Sequence, residues 1–162
     1  MKLAVFSDSH GDWHSLRILM DEMGAVDAVC FLGDVARDAE WMSEQLERLV
    51  QKPAFYAVRG NNDLASLLPD ELTFSMGGKT IYMTHGHLAQ VRSGTDLLVE
   101  RALRHGAHIA LYGHTHRAYC AYERGVFVLN PGAAGNPYGA MRARASLIAL
   151  EGDRINTKDL VL

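Results

Sequence analysis

The order of the apolar runs predicts an α/β chain: a parallel sheet laid down as strand–helix–strand–helix–strand, then a second half that is mainly β. Two observations carry this. Up to residue 58, short continuous apolar runs alternate with stretches of helical period, and parallel strands need crossovers of that length. Beyond residue 70, strand-like runs separated by glycine turns dominate, with one more helical stretch among them.

Residues 3–6 form an apolar run cut off by polar residues, which reads as a buried strand. Asp12 is placed to cap a helix in which Leu16, Leu19, Met20 and Met23 recur at helical spacing, and Gly24 ends it. Residues 28–32 are a second buried strand. Residues 39–50 have helical character, with Trp41, Met42, Leu46, Leu49 and Val50 expected on the inner side, until Pro53 breaks the pattern. Residues 55–58 are a third strand. Residues 72–76 and 80–84 flank Gly77-Gly78, as in a hairpin. Residues 95–105 are helical and 108–112 a strand. Strands at 118–122, 126–129, 145–150 and 155–161 complete the β half, with turns at Gly125 and Gly152-Asp153.

At 162 residues, 48% hydrophobic and 22% charged, the chain is sized for one folded domain, expected over 1–162. A formal net charge of -3 gives no basis for a nucleic-acid footprint or a membrane-binding face. Cys30 and Cys120 belong to no CxxC pair, which argues against a zinc knuckle. Both are expected as buried free thiols, with a disulfide the lesser alternative. The N-terminal apolar run is too short for a signal peptide, and no stretch approaches the ~20 apolar residues of a membrane span. A cytoplasmic location is the default expectation.

The informative pattern is where Asp, Asn and His fall. Asp8-Ser9-His10 follows the first strand, Gly33-Asp34 the second and Gly60-Asn61-Asn62-Asp63 the third. His85-Gly86-His87 follows the strand ending at Thr84, and Gly113-His114-Thr115-His116 the strand ending at Tyr112. In open α/β sheets the carboxyl ends of the strands line the ligand crevice, so topology gathers residues distant in sequence. Imidazole, carboxylate and amide ligands suit zinc, iron, manganese or magnesium, and no thiolate joins them. Asp8, His10, Asp34, Asn61, His85, His114 and His116 are too many for one tetrahedral ion and suit two ions sharing a carboxylate. Two metals roughly 3.5–4 Å apart can hold both the attacking and leaving oxygens of a phosphoryl displacement.

Each element has a structural alternative. Asp8-Ser9-His10 alone is a turn and a helix cap, and Gly33-Asp34 and Gly60-Asn61-Asn62-Asp63 are ordinary turn sequences. Two histidine pairs, each just after a strand, are harder to explain that way, and the five elements together point to metal. His14 is expected in solvent, His105 at a helix end where a cation suits the dipole, and His108 in a structural role. Arg37, Arg59, Arg92 and Arg117 adjoin the motifs as candidate phosphate contacts, although each is also a natural surface residue.

With these motifs, and Asn130-Pro131-Gly132-Ala133, the sequence resembles the calcineurin-like metallophosphoesterase superfamily, in particular its small single-domain YfcE-type phosphodiesterase branch. The resemblance implies a four-layer α/β/β/α sandwich with the metals at its edge. It implies one metal on Asp8, His10 and His116, another on Asn61, His85 and His114, and Asp34 bridging. His85 matches the ligand position, leaving His87 nearby or facing substrate. Asn130-Pro131-Gly132 would turn close to the site. The implied reaction is in-line attack on phosphorus by a metal-bound hydroxide, with Asn61, His87 and Asp63 as further catalytic candidates; Asp63 would orient a neighbour. Many members carry a histidine where this chain has Asn62, and an amide is no general acid near neutral pH. Esters with good leaving groups, or a proton from His87 or metal-bound water, are the alternatives that follow.

The leading expectation is a metal-dependent phosphodiesterase using two divalent ions, manganese first, with nickel, zinc, iron or magnesium also accommodated. A non-catalytic scaffold of the same fold, a phosphomonoesterase and a nuclease acting on polymers are the competing classes. The charge balance disfavours extended nucleic acid. The expected partners are a small phosphoester, no membrane, and a second copy of the chain if exposed β edges pair.

Overall fold

Alternation along β1 (Lys2–Phe6) sets the layering: Leu3 and Val5 enter one core, Ala4 and Phe6 another. The computed structural model describes residues 1–135 and 142–162. α1 (Trp13–Glu22), β2 (Ala28–Phe31), α2 (Ala36–Glu47) and β3 (Ala54–Ala57) complete the expected parallel unit. β4 (Glu71–Met76) and β5 (Lys79–Thr84) form the hairpin, followed by α3 (Asp96–Arg104), β6 (Ile109–Leu111), β7 (Tyr119–Glu123), β8 (Val126–Asn130), β9 (Arg144–Glu151) and β10 (Arg154–Val161).

Two five-stranded sheets result, ordered β10-β9-β1-β2-β3 and β4-β5-β6-β8-β7. β1, β2 and β3 are parallel, as are β5, β6 and β8, while β9 and β10 return antiparallel beside β1. Leu3, Val5, Cys30, Ile81, Ile109, Phe127 and Ile148 join the sheets face to face. Leu16, Leu19, Met42 and Leu46 lay α1 and α2 on the outer face of the first sheet, and Leu98, Val99 and Ala102 lay α3 on the second. This is the four-layer α/β/β/α arrangement, with the carboxyl ends of both parallel sets opening at one edge. Asp12 caps α1 by accepting from the Ser15 N–H at 3.1 Å. Gly77 and Gly78 both have positive φ, the backbone of a two-residue hairpin turn.

Three expectations need correction. α2 begins and ends three residues earlier than the periodicity predicts. Leu49 and Val50 therefore lie beyond the helix and are exposed instead of facing inward, Val50 completely. Both cysteines are free, but only Cys30 is buried. Cys120 is exposed, because β7 is an edge strand covered by no helix at that position. Among the described residues, no helix is long and apolar enough to cross a membrane.

Ile81 is fully buried between the sheets. Ile81→Ala should cost roughly 2–5 kcal/mol in urea unfolding, from lost transfer energy and the cavity left behind. Val50→Asp should stay within about 0.5 kcal/mol, as expected at an exposed position.

Candidate metal centre

The ends of β1, β2, β5 and β6 turn abruptly, and the turns are left-handed. Among the described residues, five of the seven non-glycine positions with positive φ are Asp8, His10, Asp34, His114 and His116. Such backbone costs roughly 1–2 kcal/mol per residue and persists only where surroundings fix it. Glycine permits the packing around these turns. A Cβ on Gly60 would lie 1.9 Å from Asp34 Oδ1, and one on Gly113 1.8 Å from Ser7 Oγ.

The turns bring six of the seven expected ligands into close contact around one another. Asp8 is fully buried. Its Oδ2 accepts from Ser7 Oγ at 2.6 Å and from the His114 N–H at 2.9 Å, while Oδ1 accepts no hydrogen bond of acceptable geometry. His116 Nε2 lies 3.2 Å from that oxygen, and His10 Nε2 and His85 Nε2 each 4.0 Å. His10 Nε2 and His116 Nε2 are 3.0 Å apart, and His85 Nε2 is 3.5 Å from Asp34 Oδ2. His114 Nδ1 stands 3.2 Å from His85 Nε2. The seventh, Asn61, is exposed but reaches in, its Oδ1 3.2 Å from His85 Nε2.

Two groups can each hold a cation: Asp8 with His10 and His116, and Asp8 with Asp34 and His85. Asp8 belongs to both, and Asp34, expected as the bridge, to the second only. A buried carboxylate oxygen without a donor, faced by imidazole nitrogens too close to share protons throughout, fits a divalent ion. Electrostatics agree. Burial works against the Asp8 charge, but the close His116 imidazole, nearby His85 and Ser7 outweigh it and hold the carboxyl below the usual range. The adjacent Asp8 carboxylate in turn holds His116 above the usual histidine range. Burial, then His85 and Arg92, push His114 down to about 4, leaving a neutral imidazole with a lone pair for a metal.

The remaining expected residues take distinct places. His87 opens a single 3₁₀ turn (His87–Ala89), half-buried with its ring 5.4 Å from that of His85. Its Nδ1 is buried without a partner, and burial, then His85, lower its pKa. Asp63 points away from this cluster: it accepts from the N–H groups of Gly60, Asp34 and Ala36 at 2.8, 3.0 and 2.7 Å, tying the third motif to the second. Asn62 donates to both oxygens of Asp34, through its backbone at 3.0 Å and its amide at 2.8 Å. Asn130 donates to Gly113 O and Thr115 Oγ1, supporting the His114 turn. Arg59 is bound by Asp70 through two hydrogen bonds at 2.7 and 3.0 Å, so it is no free phosphate contact. Arg92 and Arg117 line a cleft of about 640 Å³ shared with His114 and His116. Arg37 lies in a separate, largely apolar groove.

One positioning residue was not foreseen. Asp38, buried in the first turn of α2, accepts from Ser9 Oγ at 2.5 Å, from the Gly11 N–H at 2.8 Å and from Trp13 Nε1. It thereby holds both sides of His10.

The model of the calcineurin-like phosphoesterase superfamily domain matches residues 1–153. The chain belongs to this superfamily. Within it, the probable metallophosphoesterase YsnB of Bacillus subtilis is 30% identical over 154 residues, 94% of this chain and 86% of that protein. The structure of a predicted phosphoesterase from Streptococcus pneumoniae is similar at a TM-score of 0.78 and 28% identity, over 99% of this chain and 88% of that one. Vps29 from Entamoeba histolytica, solved in complex with zinc, shares the fold at a TM-score of 0.73 and 17% identity, over 99% of each chain. The superfamily is one of metal-dependent phosphoesterases, and the Asp/His groups of this chain are of a kind that can bind metal.

Gly60→Ala should cost several-fold or more in metal affinity, read by calorimetric titration with manganese, because its methyl would displace Asp34. Asp38→Asn should lower stability by about 2 kcal/mol, since the amide nitrogen that replaces one oxygen cannot accept the bonds it received. Wild-type unfolding and metal-binding curves for either variant would refute the corresponding role.

Proposed function

We propose that this chain is a metal-dependent phosphoric ester hydrolase that cleaves phosphodiesters with two divalent ions. The single observation that carries the reading is Asp8, common to both ligand groups, whose buried Oδ1 has no donor. Asp8, His10 and His116 would hold one ion and Asn61, His85 and His114 the other, with Asp34 between them. Manganese is the first candidate, and the zinc carried by Vps29 of Entamoeba histolytica illustrates how the same fold takes another ion.

When bound, such ions supply Lewis acidity toward phosphoryl oxygens and lower the pKa of coordinated water. The chain's own residues do the rest. Asp8 and Asp34 offset the cationic charge and fix its position, and the amides of Asn62 hold Asp34 in register. Those contacts commit Asn62 to Asp34, and an amide has no proton to give a departing alkoxide. The reading therefore favours esters whose leaving group departs without a protein acid. A second reading, a binding module, is favoured by the apolar groove beside Asn62 and Asp63, where Leu67 is wholly exposed.

Purified protein reconstituted with manganese, nickel, zinc or magnesium should hydrolyse bis-p-nitrophenyl phosphate faster than p-nitrophenyl phosphate. Normal manganese uptake with no turnover of either ester would favour the binding module. Asp34→Asn should lower kcat/KM on the order of 100-fold or more and weaken metal binding. Across aryl diesters of graded leaving-group pKa, kcat should fall steeply as that pKa rises; a flat series with chemistry rate-limiting would point to a protein acid.

A further inference from the structure

The cleft beside the candidate metal centre holds two cations that metal binding does not use. His114 and His116 form its inner end, and Arg92, Arg117, Tyr112 and Tyr119 also line it. Arg92 and Arg117 are exposed, and among the described residues no ion pair or side-chain hydrogen bond engages either guanidinium. The paired arginines lie elsewhere: Arg59 with Asp70, Arg101 with Glu71, Arg104 with Glu100 and Arg144 with Asp159. The nearby carboxylate that might have served, Glu123, accepts instead from the hydroxyls of Thr95 and Tyr119 at 2.6 and 2.8 Å. Arg117 is placed by its own backbone, whose N–H donates to Thr115 Oγ1 at 3.3 Å as the chain leaves the His116 turn.

Two unpaired guanidiniums in one cleft run against a net charge of -3. Guanidinium is a planar fork matched to phosphate oxygens, and a terminal phosphate carries enough charge and acceptors to engage two of them. We propose that the cleft is a second anion subsite, in which Arg92 and Arg117 take a phosphate other than the one at the metal centre, so that the site selects phosphoesters bearing two phosphates. The proposal rests on the hydrolase reading only for the place of the first phosphate. It also sets the direction of binding: the scissile group lies against His114 and His116 and the rest of the substrate runs outward past Tyr112 and Tyr119, whose rings are 6.4 Å apart.

Calorimetric titration of the manganese-loaded protein with thymidine 3′,5′-bisphosphate and with thymidine 5′-monophosphate tests this, with both ligands checked as intact afterwards. The bisphosphate should bind about tenfold more tightly, the scale of one good charge-assisted contact at an accessible site. In R92Q/R117Q the preference should fall below about twofold, and R92K/R117K should keep part of it because the charge remains. Raising the salt concentration should shrink the wild-type preference by screening. Equal affinity of the wild type for both ligands, or a preference that survives in R92Q/R117Q, overturns the proposal. The measured ratio needs no turnover, so failure of the ester hydrolysis assay and failure of this preference are separate results.

Discussion

Asp8 and Asp34 are two carboxylates buried side by side, and the architecture around them is arranged to make that tenable. An ionised carboxylate taken out of water without partners is strongly unfavourable, and two together repel. Backbone N–H groups, a serine hydroxyl and the Asn62 amide satisfy three of the four oxygens, while Asp8 Oδ1 is left to the imidazoles. Histidines on three different turns crowd that oxygen from several sides. Cation binding resolves in one step what hydrogen bonding leaves incomplete, which is why the electrostatics of this edge and its proposed chemistry are a single problem.

Holding those groups together requires backbone that the chain would not adopt freely. The left-handed conformations at Asp8, His10, Asp34, His114 and His116 are each unfavourable for a residue with a Cβ. They are over-determined by three buried polar side chains that touch backbone more than they touch the centre. Asp63 joins the Gly60 turn to the Asp34 turn, Asp38 grips the residues on both sides of His10, and Asn130 supports the carbonyl of Gly113. The sandwich beneath supplies the rigidity. Because the parallel strands of both sheets end at the same edge, five short loops can be cross-braced over a few ångströms.

Much of this was legible in the sequence because it follows from periodicity and position. Among the described residues, alternation and helical spacing located the strands and α-helices to within a few residues, and strand-end placement marked Asp8, Asp34 and both histidine pairs, while the choice of His85 over His87 came from the family resemblance. What escaped reading depends on tertiary partners. Nothing local distinguishes Asp38, which stands just ahead of the helix expected over 39–50, from a solvated residue until Ser9, Gly11 and Trp13 are seen around it. Arg59 looked free because Asp70 is eleven residues away. Leu49 and Val50 continued the apolar count of α2 after its helical phase had ended, and the exposure of Cys120 follows from which strand closes the second sheet, a matter of topology and not of composition.

The two depressions flanking the centre differ in chemistry, and that difference bears on how one scaffold can serve catalysis or assembly. On the side of His114 and His116 the cleft is cationic and aromatic, and its arginines have no carboxylate partner among the described residues. On the side of Asn62 and Asp63 the groove is wider and mostly apolar, with the exposed Leu67 in its lining. Guanidinium suits an anion in the first, and the apolar lining of the second suits an apolar contact. The Asp63 side chain touches the groove while its carboxylate positions both the Asp34 and the Asn61 turns. A shift of the Asn62–Asp63 segment therefore acts on the ligand geometry through the three hydrogen bonds that the Asp63 carboxylate accepts. The two faces are thus coupled by construction, because one carboxylate both lines the groove and braces the turns that carry Asp34 and Asn61.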